Sequence, residues 1–163
     1  MMAPGAQLVA DWRNSQFWST QRVAPERQFD RWRDFVNEAH MHWDIRRTRF
    51  DGFPAFIRQE RLDGFRMIHL TSEKGGIVGN RGPREIARDS EAVYSFLYVA
   101  AGSVRLDFGR QGIELPAGSG ALWDTTRPMR FTIGADLRQI TLSVPQDRFR
   151  AALGRVDDYL GRR

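Results

Sequence analysis

The first element that the hydrophobic pattern predicts is an amphipathic helix near the start of the chain. Apolar residues recur there at steps of three and four, which places one stripe along a helix. They are Phe29, Trp32, Val36 and Ala39. Pro25 suits the first turn of such a helix. The pattern therefore predicts a helix over residues 26–41 whose aromatic side chains belong to the core.

Beyond residue 42 the period changes to two, which is typical of strands. About eight short alternating segments follow, separated by Gly and Pro, and Asp63-Gly64 is a strong hairpin signal. Segment 92–100 is apolar on both faces, which indicates a central strand. The Gly-rich segment 73–85 is predicted to be a flexible connecting loop. Short strands at this spacing predict a mainly β fold with flanking helices, either an antiparallel sandwich or a closed double-sheet roll.

A second helical stripe is predicted in the tail, after Pro145. Its apolar residues lie at steps of four, three and four, and they are Phe149, Leu153, Val156 and Leu160. This C-terminal helix either packs on its own barrel or meets a partner helix, and the sequence leaves both open. The whole pattern divides the chain into an N-terminal arm at 1–25, a domain at 26–144 and a helical segment at 145–163.

Composition and charge narrow the class of protein. The 163 residues suffice for one domain with a sizeable core, and the lack of cysteine excludes disulfides, thiolate metal sites and cysteine nucleophiles. There is no signal-peptide pattern and no run of about 20 apolar residues, so we expect a soluble cytoplasmic protein without a membrane partner. The net charge of +5 comes almost entirely from arginine dispersed among acids, which does not favour direct binding of nucleic acid.

The three histidines of the chain form a candidate metal site. His40 and His42 would point to the same face if both lay on a strand, and His69 could join them from a distant strand. This spacing matches the H-x-H pair of cupin metalloenzymes, so a small metal-dependent isomerase or dioxygenase is the alternative function. However, Arg46 and Arg47 follow where a carboxylate would be needed, and His40 could equally belong to the helix end. We therefore predict no metal and no other cofactor.

Other catalytic signatures are absent from the sequence. It has no G-x-S-x-G motif, and its acidic pairs do not converge as general acid–base catalysis requires. We therefore predict that the chain is not an enzyme and that it binds a ligand. Aromatic side chains pointing into a roll would line a cavity for a small molecule. The candidates by alternation are Trp43, His69, Tyr94, Phe96, Tyr98 and Trp123. The alternative is that they simply fill the core.

Several short motifs in a fixed order carry a resemblance to a known family. They are the F-x-x-W helix at Phe29 and Trp32, the strand ending at Gly102, LPAGSGALWDTTRP at 115–128 and ITLSVP at 140–145. This order resembles the N-terminal domain of AraC-family transcriptional regulators, of the AraC-binding-like type. Ala117 is an insertion relative to the family pattern, and Ser119 stands where an aspartate is usual. The resemblance extends over roughly residues 12–155.

The resemblance implies a cupin-like barrel that binds a small-molecule effector, then helices that form a homodimer, then a helix-turn-helix domain that contacts DNA and RNA polymerase. The stripe from Phe149 to Leu160 would begin the dimerising part. Since nothing after Arg163 supplies a helix-turn-helix unit, we expect a truncated protein or a stand-alone sensor domain. The abundance of arginine and aromatic residues favours a small organic acid or an aromatic effector. A barrel without ligand that serves only for dimerisation is a further alternative.

Segment 118–131 contains Asp124 and Arg127, and three interpretations are open for them: a reactive pair, a ligand clamp or a structural turn. No histidine or second carboxylate lies nearby in sequence, which disfavours a reactive pair. Asp124 suits the first position of a turn, where its side chain accepts a backbone N–H two residues on. Pro128 fixes its own φ and keeps Arg127 extended. We therefore predict a structural turn that joins two barrel strands.

Overall fold

Two antiparallel sheets packed face to face form the body of the computed structural model, which describes residues 15–162. The strands are β1 Ser15–Ser19, β2 Asp44–Arg47, β3 Ala55–Leu62, β4 Phe65–Ser72, β5 Ile77–Arg81, β6 Val93–Ala101, β7 Ser103–Phe108, β8 Gln111–Pro116, β9 Gly120–Asp124, β10 Met129–Ile133 and β11 Leu137–Pro145. The six-stranded sheet has the order β1-β3-β4-β11-β6-β9, and the five-stranded sheet has the order β2-β5-β10-β7-β8. The predicted mainly β double-sheet fold with flanking helices is confirmed.

The helices flank the sheets. They are α1 Gln28–Ala39, α2 Pro83–Ile86 and α3 Gln146–Leu153. A 3₁₀ turn at Pro25–Arg27 precedes α1, so the helix predicted over 26–41 is present but ends earlier. The backbone leaves the helical conformation at His40, and beyond it the Trp43 backbone N–H donates to Asn37 Oδ1 at 2.8 Å. Within residues 15–162, no helix combines the length and the apolar composition of a membrane span.

The core lies between the two sheets and extends under α1. Inward residues of both sheets and of the helix belong to one buried cluster. The ring centroid of Trp43 lies 5.7 Å from that of Trp123 and 4.9 Å from that of Phe131. Trp32 of α1 is 1% exposed and packs edge-on against Phe53, with 5.0 Å between ring centroids. The core position predicted for the helix aromatics is therefore confirmed for Trp32.

The hairpin predicted at Asp63-Gly64 is present and joins β3 to β4. Asp63 has φ 47° and Gly64 has φ 81°, so both central residues of the turn are left-handed. Such a turn matches the twist of the strands it connects. The turn brings Leu62 opposite Phe65 and sets the register of the whole strand pair.

The end of the predicted N-terminal arm is a strand. Ser15–Ser19 form β1, which pairs with β3 at the edge of the six-stranded sheet. The Trp18 ring packs against Phe35 of α1, with 6.3 Å between centroids, and Thr20 Oγ1 donates to the Phe53 carbonyl oxygen at 2.8 Å. The folded domain therefore includes residues 15–25, and the rest of the predicted arm, residues 1–14, lies outside the described residues.

The prediction that segment 73–85 is a flexible loop is wrong. It contains β5, which lies between β2 and β10 in the five-stranded sheet, and the short helix α2. Gly79 of β5 is the direct partner of Phe131 on β10. A Cβ at Gly79 would lie 2.1 Å from the Phe131 ring, so the glycine leaves room for that ring rather than marking a loop. Pro83 begins α2 at a position where its missing N–H costs nothing.

The predicted C-terminal helix is present as α3, but it is shorter than the apolar stripe from Phe149 to Leu160. The helix α3 ends before Gly154, which has φ 70° and terminates it in the left-handed region. A 3₁₀ turn follows at Asp157–Tyr159, and Leu160 then forms an isolated bridge to Leu122 of β9. The stripe is therefore divided: Val156 is 3% exposed inside the domain, whereas Leu153 is 67% exposed on α3.

Candidate functional site

At one end of the roll, arginine side chains replace apolar residues on the inner face of the six-stranded sheet. Along β3 the inward residues Ala55, Ile57 and Gln59 are buried, and the next inward position is Arg61. Arg66 takes the corresponding position on β4 and lies directly opposite Arg61 across the hairpin. The alternation of the two strands thus brings two like charges to the same end of the roll.

The residues paired with Arg66 on the next two strands of the sheet are also polar. Arg66 lies opposite Ser143 of β11, which lies opposite Ser95 of β6. Ser95 in turn lies opposite Trp123 of β9. The two serines are buried, and their hydroxyl oxygens are 3.4 Å apart. The inner face is therefore polar at this end, unlike the apolar core between the sheets.

A third arginine reaches this end from the five-stranded sheet. Arg81 is the last residue of β5 and is 2% exposed. Its Nη1 donates to Asp89 Oδ2 at 2.6 Å and to the carbonyl oxygen of His42 at 2.8 Å. Its Nε and Nη2 donate to the carbonyl oxygen of Thr125 at 3.1 and 3.0 Å. Arg81 is thus a cation that ties β5 to three loops through four hydrogen bonds.

Asp89 pairs with both a histidine and this arginine. His42 Nδ1 lies 2.6 Å from Asp89 Oδ1, on the carboxylate that also accepts the bond from Arg81. Burial alone would raise the pKa of Asp89, but the hydrogen bonds from His42 and Arg81 outweigh it and hold that pKa below its ordinary value. The carboxylate therefore stays ionised and neutralises one of the three arginines.

Two buried polar atoms at this end have no hydrogen-bond partner in the structure. They are Nε2 of His40, which follows α1, and Nε of Arg66. Burial, followed by the charges of Arg66 and Arg81, lowers the pKa of His40 to about 3, so its ring is neutral at physiological pH. Burial also lowers the pKa of Arg66, but a guanidinium stays charged in proteins. An unsatisfied buried group of this kind costs about 1–3 kcal/mol.

These groups surround a cavity of about 200 Å³, which we call the arginine cavity. Its lining residues come from the end of α1, the β3–β4 hairpin, the end of β5 and the loops before β6 and after β9. They are His40, Met41, Arg61, Arg66, Arg81, Asp89, Ser90, Glu91, Val93 and Thr125. Guanidinium N–H groups in this number suit the recognition of an anion, because their planar fork matches carboxylate and phosphate oxygens.

The aromatic residues predicted to line the lumen do not come together around this cavity. Trp43 and Trp123 do point inward, but they pack against each other in the core. Phe96 and Tyr98 are 42% and 39% exposed, so the prediction that they point inward is wrong. The inward residues of β6 are instead the smaller Leu97 and Val99.

Tyr94 and His69 also lie on the outer face of the six-stranded sheet. Tyr94 is covered by α3, where Phe149 packs edge-on against its ring and Arg150 Nε donates to its hydroxyl oxygen at 2.9 Å. His69 lies beside Arg58 of the neighbouring strand, with 3.2 Å between His69 Nε2 and Arg58 Nη2. Neither side chain faces the core, which corrects the prediction. Of the six predicted ligand-binding residues, only Trp43 and Trp123 point inward, and ligand binding by these two stays a prediction.

The three histidines do not converge on a metal position. His40 lies at the C-terminal end of α1 rather than on a strand, and the His42 ring is engaged by Asp89. His69 lies on β4, on the outer face of the six-stranded sheet. Among residues 15–162, no group of three or more His, Cys, Asp or Glu side chains is arranged to hold a metal ion. The alternative metal-dependent enzyme therefore lacks the site that the H-x-H spacing suggested.

Segment 118–131 contains β9, the start of β10 and the turn at residues 125–128 that joins them. Thr126 N–H donates to Asp124 Oδ1 at 2.9 Å, which is the turn geometry expected of an aspartate at that position. The same oxygen accepts bonds from Thr126 Oγ1 and from Gln146 Nε2, each at 2.7 Å. Arg127 is 65% exposed, and its Nε lies 3.5 Å from Asp124 Oδ2. Asp124 therefore holds the turn and also attaches α3 to it, whereas the Arg127 contact is peripheral.

The residues of the arginine cavity that the sequence analysis missed had a local signal. On β3, β4 and β5 the outermost inward position at the same end of the roll is an arginine, next to Gln59, Ile68 and Gly79 respectively. An inward position occupied by arginine at a strand end is unusual for a side chain that only fills a core. Asp89 had no comparable signal, because it lies in a loop and meets Arg81 only through the tertiary fold.

Comparisons with known proteins agree with this architecture. The profile of the AraC-binding-like domain matches residues 32–163. No curated protein matches the chain. Among solved structures, the AraC-like transcriptional activator CuxR is similar, with a TM-score of 0.71, 18% sequence identity, and coverage of 85% of this chain and 51% of CuxR. The chain thus spans about half the length of CuxR.

Other solved structures are more distant. The EutQ protein of Clostridium difficile has a TM-score of 0.44 at 9% identity, covering 58% of this chain and 71% of that protein. Ectoine synthase from P. lautus has a TM-score of 0.45 at 12% identity, covering 56% of this chain and 64% of the synthase. The family assignment rests on the profile, which matches most of the sequence and confirms the resemblance seen in its motifs. This chain belongs to the family of AraC-binding-like domains.

Proposed function

We propose that this chain is the effector-sensing and dimerisation domain of an AraC-type DNA-binding transcriptional regulator, with a small organic effector bound in the arginine cavity. The observation that carries the proposal is a cavity of about 200 Å³ with unpartnered buried polar atoms, at one end of a domain of this family. In this proposal the chain senses and does not catalyse. DNA and RNA polymerase are contacted in the cytoplasm by a separate helix-turn-helix domain.

Packing supports the end of the roll as the binding site. The middle of the roll is filled by Trp43, Trp123 and Phe131, and the Trp43 ring packs against both of the others. Placing an effector there would require these rings to move, at the cost of core packing. The arginine cavity already provides space and polar groups, so an effector can bind there without opening the core.

The turn after β9 supports a link between the cavity and the C-terminal segment. Thr125 lines the cavity and accepts two hydrogen bonds from Arg81. The adjacent residue, Asp124, accepts a hydrogen bond from Gln146 at the start of α3. In the proposed mechanism, an effector that binds one arrangement of this turn more tightly than another shifts the position of α3 by that difference in affinity.

The decisive test is the reading frame of the gene beyond residue 163 and the DNA binding of its full product. We expect the frame, or a neighbouring gene whose product binds this chain, to encode helix-turn-helix units. DNase footprinting upstream of the gene should then detect a protected operator whose occupancy changes when the effector is added. The absence of any helix-turn-helix partner, with no protected operator, would refute the regulator function.

A further inference from the structure

Two arginines of the arginine cavity form no close ion pair within residues 15–162, although the charge of Glu91 acts on Arg66 from a greater distance. Arg61 and Arg66 take part in no ion pair, and their side chains make no hydrogen bond there. The lining contains three arginines against two acids, Asp89 and Glu91, while His40 is neutral. Asp89 already pairs with Arg81 at 2.6 Å. The cavity therefore has an excess of positive charge, and that excess lies on the hairpin arginines.

The position of these two arginines is unfavourable without an anion. They are direct partners across the β3–β4 pair, and like charges directly opposite each other destabilise a sheet. Arg66 in addition buries a guanidinium N–H that has no acceptor. A bound oxyanion would screen the repulsion between the two side chains and would accept the orphaned N–H.

His40 adds an uncharged hydrogen-bonding group to the same cavity. Its Nε2 is buried without a partner, as is Nε of Arg66. A neutral imidazole with its proton on Nε2 donates a hydrogen bond, which suits an acceptor oxygen of the ligand. The cavity thus combines a like-charge pair, an unpaired guanidinium nitrogen on one member of that pair and an unpaired imidazole nitrogen.

We propose that the arginine cavity binds the oxyanion group, carboxylate or phosphate, of a small ligand, with Arg61 and Arg66 as its charged partners and His40 as a hydrogen-bond donor. This inference rests on the proposed function only in calling the ligand an effector. The volume of about 200 Å³ is smaller than the roughly 300–1,000 Å³ of sites that enclose a drug-sized molecule. The site therefore fits a small anion or the anionic end of a larger ligand.

The test is calorimetric titration and thermal shift of the purified chain with four probes. They are inorganic phosphate, succinate, benzoate and benzamide, the neutral amide counterpart of benzoate. We expect saturable binding of at least one anion and none of benzamide. Binding of phosphate alone identifies a phosphate ligand, and binding of a carboxylate alone identifies an organic acid. Binding of benzamide as tight as that of benzoate would overturn the proposal, as would the failure of all three anions to bind.

Variants decide whether the bound anion occupies this cavity. Arg66→Gln should weaken binding by at least about tenfold, because a hydrogen-bonded charge is lost. Arg61→Gln, at an exposed position, provides a second variant with little risk to folding. Arg110→Gln, an exposed arginine on the β7–β8 turn, is the matched control and should bind like the wild type. Equal affinity in all three variants would overturn the proposal.

A stability measurement separates a ligand-binding role from a structural one. Without anions, Arg66→Gln should melt at the same temperature as the wild type or higher, because the like-charge pair is removed. A large fall in its melting temperature, together with unchanged anion affinity, would assign Arg66 to structure and overturn the proposal. These results are independent of the regulator function, since the reading-frame test can fail while anion binding stands, and the reverse.

Discussion

The His40 imidazole follows the last turn of α1 and lies within the influence of Arg66 and Arg81. Burial is the largest of the effects that lower its pKa to about 3, and the two arginine charges add to it, whereas Asp89 opposes them. A residue that sequence analysis treated as a metal ligand or a helix cap is therefore a neutral polar group inside a cationic cavity. Its protonation state depends on side chains from distant parts of the chain.

This lowered pKa predicts how stability depends on pH. The unfolded chain takes up a proton on His40 below about pH 6.5, whereas the folded protein does so only near pH 3. The His40 contribution to the free energy of unfolding is therefore complete above pH 6.5 and is lost as the pH falls. Between pH 6.5 and about pH 4 the loss should be on the order of 3 kcal/mol. Urea unfolding should give a flatter pH profile for His40→Gln, and identical profiles would contradict this assignment.

Asp124 is predicted to be important for stability rather than for ligand binding. Its Oδ1 accepts three hydrogen bonds, and replacing it by Ala leaves Gln146 and Thr126 without that acceptor. We expect Asp124→Ala to lower the free energy of unfolding by about 1–3 kcal/mol and to lower the melting temperature. Arg127→Ala removes only an exposed contact and should change the free energy of unfolding by less than about 1 kcal/mol. Unchanged stability of Asp124→Ala with lost ligand binding would reverse this interpretation.

At the level of elements, β5 depends on its neighbours rather than on its own sequence. Its glycines and its flanking Gly-Pro step are typical of a loop, but β2 and β10 pair with it on both sides. Gly79 is the point where the Phe131 ring packs over the strand, and that ring also contacts Trp43. A glycine in a strand can thus mark a close approach of a ring to the backbone.

Gly79→Ala should destabilise the domain because the new methyl group would overlap the Phe131 ring. The ring is held by Trp43, so we expect a loss of about 1–3 kcal/mol in chemical unfolding, as is usual for overpacking. Gly134→Ala is the control, because nothing lies within 4 Å of a Cβ at that position. Equal stability of the two variants would show that the Phe131 ring does not pack closely against Gly79.

For the whole molecule, α3 ends in the middle of the apolar stripe from Phe149 to Leu160, which changes the surface that is available for dimerisation. Val156 is buried within the domain, and Phe149 packs on Tyr94, so neither is available to a partner as predicted. Leu153 remains exposed on α3, and Phe96 and Tyr98 are exposed on the face of β6 that α3 partly covers. The homodimer itself stays a prediction, and its most direct candidate contact is Leu153.

Leu153→Asp should convert a dimer to a monomer if α3 forms the contact, because a charge would be buried in an apolar interface. Sedimentation velocity at several protein concentrations measures this directly. Leu62→Asp is the matched control, since Leu62 is an exposed leucine on the β3–β4 hairpin and should leave the dimer intact. A Leu153→Asp protein that still dimerises would exclude α3 and direct attention to the outer face of β6.

Signals within a few residues were sufficient to predict three local features of this protein. The apolar stripe of α1, the Asp63-Gly64 hairpin and the turn at Asp124 all follow from backbone conformation and from contacts between near neighbours in sequence. The motif order was also sufficient to indicate the family, because motif spacing is a property of the sequence itself. These features required no knowledge of which sheet lies against which.

The inward faces and the candidate site depended instead on how distant segments pack. Strand β6 is apolar on both faces, so periodicity could not decide whether Phe96 or Leu97 points inward, and the opposing sheet decided it. The arginine cavity joins Arg61, Arg66 and Arg81 from three strands, and alternation along one strand does not show that the three side chains meet. The charge repulsion, the burial and the unpaired hydrogen-bonding groups arise only when the fold places those strands side by side. Repulsion needs two residues and burial needs surrounding residues, so neither can be derived from one position in the sequence.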